Sequence, residues 1–408
     1  MIDFILKGNL YTKNQKFLFF TFLLMCWFNF GNYSWLQYSF NGTPYNNSLS
    51  QIIRNLKILI PFLALLTLSY KNYYRNKFFY LIKKNVSIYF LCFLFILNSS
   101  ISEGNIISLV YSFWLLFSIL IINLVTEEVK HINDMFRLLK FGSIITLLLV
   151  LPSLPFLLEN NEATYFSSKN YYAFPLLIYF FSDIYLPKNA KRNINIIRVF
   201  INFLIFIILF LSGRRVALFC AFLCLINYFF FYNKKNIIFL VLLLSLIPTT
   251  FLSLNFFGFK ISEARTFRRF ERINAENDYQ DSSYNERLFL WDKYMLSFKE
   301  SPLIGKGLNT YVSNLKSTYS GDLEGLGYHN TYLQVLVESG IIGLSFFIAF
   351  ILKSVFNLLR FSGLKYFSII LSVLLINWFE TNFIPGQVFF IVTLSALFMS
   401  NTILNERS

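Results

Sequence analysis

Residues 201–211 read INFLIFIILFL, and this stretch decides the fold class. All but Asn202 are apolar, and they do not alternate with period two, which excludes a strand of an outer-membrane barrel. A helix of this composition is apolar on every side and belongs in lipid or deep inside protein. Similar runs recur along the chain. A membrane-spanning helix needs about 20 mostly apolar residues. Twelve segments meet or approach this: 17–36, 52–70, 85–102, 106–125, 141–158, 171–186, 196–212, 216–232, 236–257, 333–353, 364–380 and 384–402. The weakest are 85–102, interrupted by Ser and Asn, and 171–186, which is short and contains Asp183. Only 14% of the 408 residues are charged, against about a quarter in soluble domains, so a string of soluble cores and disorder are both excluded. The expectation is an all-α integral membrane protein with about twelve transmembrane helices. An N-terminal membrane region (1–257, about nine helices) precedes a large, partly helical outer loop (258–332) and a C-terminal membrane region (333–408, about three helices).

Orientation follows from the placement of Lys and Arg. With a cytoplasmic N-terminus, the inner segments and adjoining helix ends hold 21 basic and six acidic residues, the whole of the net charge of +15. The outer side holds fifteen of each. The charge is therefore a topology signal toward an anionic inner leaflet, not the footprint of a nucleic-acid-binding surface. Both termini are expected in the cytoplasm and the loop 258–332 outside. Lys7, Lys13 and Lys16 precede a full-length apolar run with no small-residue cleavage site, so the first segment is expected to stay. The four cysteines (Cys26, Cys92, Cys220, Cys224) lie in predicted helices and read as small hydrophobes rather than as metal or disulfide partners.

The outer loop carries the chemistry. From Glu286 to Ser301, Leu288, Trp291, Met295 and Phe298 recur at helical spacing, and Ser301-Pro302 ends the helix. Leu303-Ile304-Gly305-Lys306-Gly307 follows, either a plain turn or two glycines that let backbone amides approach an anion. Asn330, Gln334 and Glu338, at i, i+4 and i+8, form a polar stripe descending from the outer surface into the tenth helix, where polar groups are costly unless they face a cavity or one another. His329 heads the stripe, whereas the other histidine, His131, reads as a solvated loop residue beside Glu127, Glu128 and Asp134. Ser212-Gly213-Arg214-Arg215 is a short outer turn whose paired guanidinium groups oppose the positive-inside trend. Arg54 and Lys57 lie near the outer end of the second helix, and Arg287 opens the amphipathic loop helix. Guanidinium forks suit phosphate oxygens.

These residues resemble the signature of the O-antigen ligase and O-antigen polymerase superfamily. The fragments are Glu286-Arg287-Leu-Phe-Leu-Trp291, Ser301-Pro302-Leu-Ile-Gly305-Lys-Gly307, His329-Asn330-Thr-Tyr-Leu333-Gln334 and Glu338-Ser-Gly340-Ile-Ile-Gly343. Leu211-Ser212-Gly213-Arg214-Arg215-Val216-Ala217 resembles the family's Ser-Arg-Gly-Ala turn, which places the family arginine on Arg215. Arg214 stands where Ser is usual and Val216 where Gly is usual, so the choice between the two arginines is open.

The resemblance implies a GT-C-type glycosyltransferase of the bacterial inner membrane. Its donor would be a glycan on undecaprenyl pyrophosphate, its stereochemistry inverting, and it would use no metal or other cofactor. Without a metal ion, Arg215 and Arg287 would stabilise the diphosphate leaving group, with Arg214 and Arg54 nearby. His329 would take the proton of the attacking hydroxyl or orient it, since imidazole titrates near neutral pH. Asn330, Gln334 and Glu338 would orient His329 or bind sugar hydroxyls, and Glu338 or Glu380 is an alternative base. Lys169 and Asn170, opening the sixth helix on the same side, would touch phosphate. Three functions compete. The first is a polymerase joining lipid-linked repeat units into O-antigen or capsular polysaccharide, favoured partly on a Phe/Ile/Asn-rich composition. The second is a ligase whose acceptor is lipid A core. The third is a non-enzymatic flippase, which calls for paired broken helices in two halves of the chain. Membrane lipid and a chain-length regulator complete the expected partners.

Overall fold

The computed structural model describes residues 1–6, 11–30, 48–101, 106–150, 170–186, 196–212, 214–232, 282–308, 328–380, 390–400 and 402–403. Helices are the only regular elements among them: α1 (Ile2–Leu6), α2 (Lys13–Phe30), α3 (Ser48–Ser69), α4 (Asn72–Lys84), α5 (Val86–Ile101), α6 (Ile106–Glu128), α7 (Ile132–Val150), α8 (Asn170–Tyr185), α9 (Ile196–Leu211), α10 (Arg215–Tyr232), α11 (Ser282–Glu300), α12 (Thr331–Ser362), α13 (Phe367–Phe379) and α14 (Phe390–Leu397). The all-helical expectation holds. The expected helix 236–257 and most of the loop 258–332 lie outside the described residues.

Fewer complete spans than the twelve expected fall within the described residues. Among the described residues two helices are long and apolar enough to cross a membrane, one within α6 and the other α12. The α4–α5 pair adds a third only if counted together across its 95° bend. Shorter apolar helices among the described residues include Phe367–Phe379. A thirteen-residue helix such as α13 rises about 20 Å, against a hydrocarbon core of about 30 Å. In α2 the first turn is Lys-Asn-Gln-Lys, which shortens its apolar part.

The chain divides into two units. The first comprises Met1–Lys57, Lys130–Tyr279 and Ser362–Ser372. Its centre is the α7–α8 pair, against which α1, α2, α9 and α10 pack. Asp183, the acid that weakened the sixth segment, is buried in α8, where it accepts hydrogen bonds from Lys140 of α7 and, at 2.6 Å, from Asn202 of α9. That pairing is what lets an acid sit inside an apolar helix. Asp134 is satisfied likewise, by the Tyr11 hydroxyl at 2.7 Å and Arg137 at 2.6 Å. Cys220 and Cys224 face Ser368 and Ser372, and all four cysteines are buried and free. His131 is exposed, as expected.

The second unit comprises Ile58–Val129, Gln280–Phe361 and Val373–Ser408. Here α6 packs against α4, α5 and α14. Residues 72–84, between the expected spans 52–70 and 85–102, form α4. Its four bases and absence of acids hid a helix whose Tyr74 and Leu81 are buried.

Candidate functional site

The site grows from the three residues preceding α12. Tyr328 is fully buried and stacks on Tyr294 of α11, with ring centroids 4.1 Å apart, beside Leu290 and Val337. Its carbonyl accepts a hydrogen bond from Trp291 Nε1 at 2.9 Å. Asn330 is the N-cap of α12: its Oδ1 accepts from the Leu333 amide and its carbonyl from the Gln334 amide, both at 3.0 Å. Thr331 Oγ1 donates to the Glu380 carbonyl at 2.8 Å. His329 is held between these anchors.

Its backbone is left-handed, with φ 49°, which costs a residue bearing a side chain about 1–2 kcal/mol. The imidazole is 34% exposed, and its Nδ1 lies 3.6 Å from the largely buried Glu380 carboxyl. That is ion-pair distance, longer than a good hydrogen bond. A carboxylate beside Nδ1 favours a proton there, which leaves Nε2 as the acceptor. The polar stripe continues inward. Gln334 Nε2 donates to Glu338 Oε2 at 3.0 Å, and both side chains are fully buried. Gln334 Oε1 has no hydrogen-bond partner among the described residues.

One turn further the helix breaks. Gly340 has φ 68° and ψ −172°, so α12 is a short helix, Thr331–Ser339, joined to a longer one. The groups freed by the break are taken up by the turn 302–307. The Ile341 and Ile342 amides donate to the Pro302 and Leu303 carbonyls at 2.9 and 3.2 Å. In return the Lys306 and Gly307 amides donate to the Val337 and Glu338 carbonyls at 3.2 and 2.8 Å. A β-carbon on Gly305 would lie 2.6 Å from the Glu338 oxygen, which is why the turn needs glycine there. This decides between the two readings of Gly305-Lys306-Gly307. It is a structural clasp whose amides are committed to the broken helix, not a cradle for an anion. The Lys306 ammonium pairs with Glu300. The clasp is tied in turn to the first half of the unit, where Asn98 donates to the Ile304 carbonyl and Ser108 to that of Leu308. Ser99 and Ser112 complete a buried hydroxyl cluster with Ser108. The Ser108/Ser112 spacing of four in an apolar segment was the only sequence sign of it.

The amphipathic face expected for α11 is rotated. Leu290 and Tyr294, not Leu288 and Met295, are buried, because this line and Phe298 pack against Tyr328 and Val337. Trp291 keeps an inward role through its indole N–H. Arg287 stands one turn before Trp291 on α11, half-buried, in the second turn rather than at the helix start.

The paired arginines belong to the first unit. Arg214 is the residue before α10: its amide donates to Ser212 Oγ at 3.2 Å, and its carbonyl accepts the Leu218 amide at 3.1 Å. Arg215 is the first residue of the helix, and its side chain is not described. Two guanidinium charges at a helix N-terminus add to the positive end of the macrodipole, an arrangement that is unfavourable without an anion. Arg54 lies in α3 and Asn170 starts α8, both with side chains outside the description, and Lys169 is outside it altogether. The structure thus gathers His329, Asn330, Gln334, Glu338 and Glu380 in one unit. The arginines of the first unit enter only as a proposal. Among the described residues no three His, Cys, Asp or Glu side chains gather so as to hold a metal ion.

Comparison with known proteins bears on this region. The O-antigen ligase family model matches residues 200–348, which run from α9 through both arginines, α11 and His329 into the second part of α12. A curated relative, the exopolysaccharide production protein ExoQ of Rhizobium meliloti (strain 1021), is 34% identical over 73 residues. Both matches point to the O-antigen ligase and polymerase superfamily. The aligned stretch covers 16% of this chain and only 17% of that relative's length. Within the superfamily the matched model is described as ligase, against the polymerase that composition had favoured.

Proposed function

We propose that this chain is a member of the O-antigen ligase and polymerase superfamily and a ligase-type glycosyltransferase that moves a glycan from undecaprenyl pyrophosphate to lipid A core. The observation that carries the reading is His329, held in a strained backbone conformation beside the Glu380 carboxyl by Tyr328, Asn330 and Thr331. In the reaction, the acceptor hydroxyl oxygen attacks the anomeric carbon as the bond to the diphosphate oxygen breaks. His329 Nε2 takes the hydroxyl proton. Arg215 or Arg214, with Arg287, meets the charge that develops on the departing diphosphate. The second reading, a polymerase, is supported by the relative's designation in exopolysaccharide production. The flippase reading gains one feature, the broken α12, but its freed backbone groups are satisfied by the clasp rather than left to line a pathway.

One gel separates the two enzymes. Deletion of a ligase leaves lipid A core bare, whereas deletion of a polymerase leaves single repeats on it. Single repeats overturn the ligase reading. If His329→Ala and Arg287→Ala, inserted normally, restore full transfer, the site assignment fails instead.

A further inference from the structure

Helix α4 carries an unassigned surface. In α4, Tyr74 and Leu81 are buried, and Lys77 and Lys84 turn inward to Glu128 and Glu127 of α6, at 2.6 and 2.8 Å. Those two ion pairs orient the helix, and they leave its other face outward. On that face Arg75, Phe79 and Lys83 recur at i, i+4 and i+8, one straight line along the helix. All three are exposed, Phe79 at 63%, with the exposed Ile82 beside them. Neither Arg75 nor Lys83 has an acidic partner among the described residues, and α4 contains no acid.

A large aromatic ring flanked by two bases is unfavourable toward water and fits the headgroup boundary of a bilayer, where the ring enters the acyl edge and the bases meet phosphate. The geometry supports that placement. At Asn85 the chain turns by 95° into the apolar α5, so if α5 enters the membrane, α4 lies along its surface. The turn is built in, since Asn85 is buried, its amide nitrogen donates to the Leu81 carbonyl at 3.0 Å, and Asn123 bonds the neighbouring Tyr89 hydroxyl at 2.9 Å. We propose that α4 is an interfacial helix that binds anionic phospholipid headgroups through Arg75, Phe79 and Lys83.

The test uses the full chain in lipid nanodiscs with and without phosphatidylglycerol. The native cysteines are buried, so Ile82→Cys provides a single reporter for a fluorescent label. The label should be quenched by lipid spin-labelled near the headgroup, more strongly with phosphatidylglycerol, and less so as salt is raised. The R75Q/K83Q variant should weaken the phosphatidylglycerol response about fivefold per base removed. The salt series tests the same point without a variant. Quenching by aqueous iodide to the level seen in detergent overturns the proposal, because the face is then open to water. Protection from both quenchers overturns it too, because protein then covers the face. Lipid quenching indifferent to phosphatidylglycerol and to salt refutes the headgroup assignment.

Discussion

Gly340→Ala tests the clasp directly. At φ 68° and ψ −172° only glycine is at ease, and an alanine there carries about 1–3 kcal/mol of backbone strain. Its β-carbon would also fall onto the Leu303 carbonyl and within 2.5 Å of the Ile304 amide nitrogen, backbone atoms that cannot rotate away. Relief requires the turn 302–307 to separate from α12, which breaks four backbone hydrogen bonds worth about 1 kcal/mol each. Gly363 is the internal control. It too has a positive φ, 59°, but a β-carbon there meets nothing within 4 Å, so Gly363→Ala costs only about 1–2 kcal/mol. Unfolding of the purified chain in mixed detergent micelles should place Gly340→Ala about 4–5 kcal/mol below Gly363→Ala. Gly305→Ala strikes the same clasp from its other side, so the double variant should lose less than the sum of the singles. If Gly340→Ala and Gly363→Ala fall within about 1 kcal/mol of each other, the clasp is not what holds the two halves of α12, and the reasoning is refuted.

Three further outcomes follow from the same geometry. Asn330→Ala removes the N-cap of α12 and should cost about 1 kcal/mol in unfolding, with Asn330→Ser close to wild type; equal losses would show that the capping bond is not the source. His329→Ala should lower glycan transfer in membranes by about 100-fold or more, the usual share of a general base, and Glu380→Gln by less; the reverse order would make Glu380 the base. For Lys77, burial pulls the ammonium's pKa down, but the hydrogen bond and charge of Glu128, with Tyr73, outweigh it and raise the pKa above its ordinary 10.5. A raised pKa means that this pair's stability is complete below about pH 10.5 and lost as pH rises through the higher folded value. The gap between wild type and Lys77→Arg, which does not titrate there, should therefore be constant from neutral pH to about 10 and change only above it.

Periodicity and charge placed most helices near their observed positions and put His329 and Asn330 at the head of α12. They could not show what depends on pairs distant in sequence. Asp183 weakened the reading of α8 because its partners, Lys140 and Asn202, come from other helices. The face of α11 was misjudged because Leu288 and Leu290 are equally apolar, and only Tyr328 and Val337 decide which is buried. The break at Gly340 left no local mark. Glycine is common in membrane helices, and Glu338-Ser-Gly-Ile-Ile-Gly343 reads as an uninterrupted span until the turn 302–307 is laid against it.

That break explains why a polar stripe is tolerated in α12. Thr331–Ser339 is only nine residues, too short to be stable as an isolated helix. It persists because both ends are tied: Asn330 caps the first turn, and the Lys306 and Gly307 amides take the Val337 and Glu338 carbonyls at the last. Thr331 then fixes its start against Glu380, and Trp291 fixes Tyr328 just before it. Gln334 and Glu338 answer each other inside this short helix. His329 needs that rigidity, because a left-handed histidine is maintained only where its neighbours on both sides cannot relax. Residues 301–307 therefore matter to the proposed chemistry through the short helix they hold. Opening the clasp by Gly305→Ala or Gly340→Ala should reduce transfer as well as stability, whereas Gly363→Ala should spare transfer and cost only its local backbone strain. A clasp variant that unfolds more readily yet transfers glycan at the wild-type rate would show that His329 is positioned independently of the short helix.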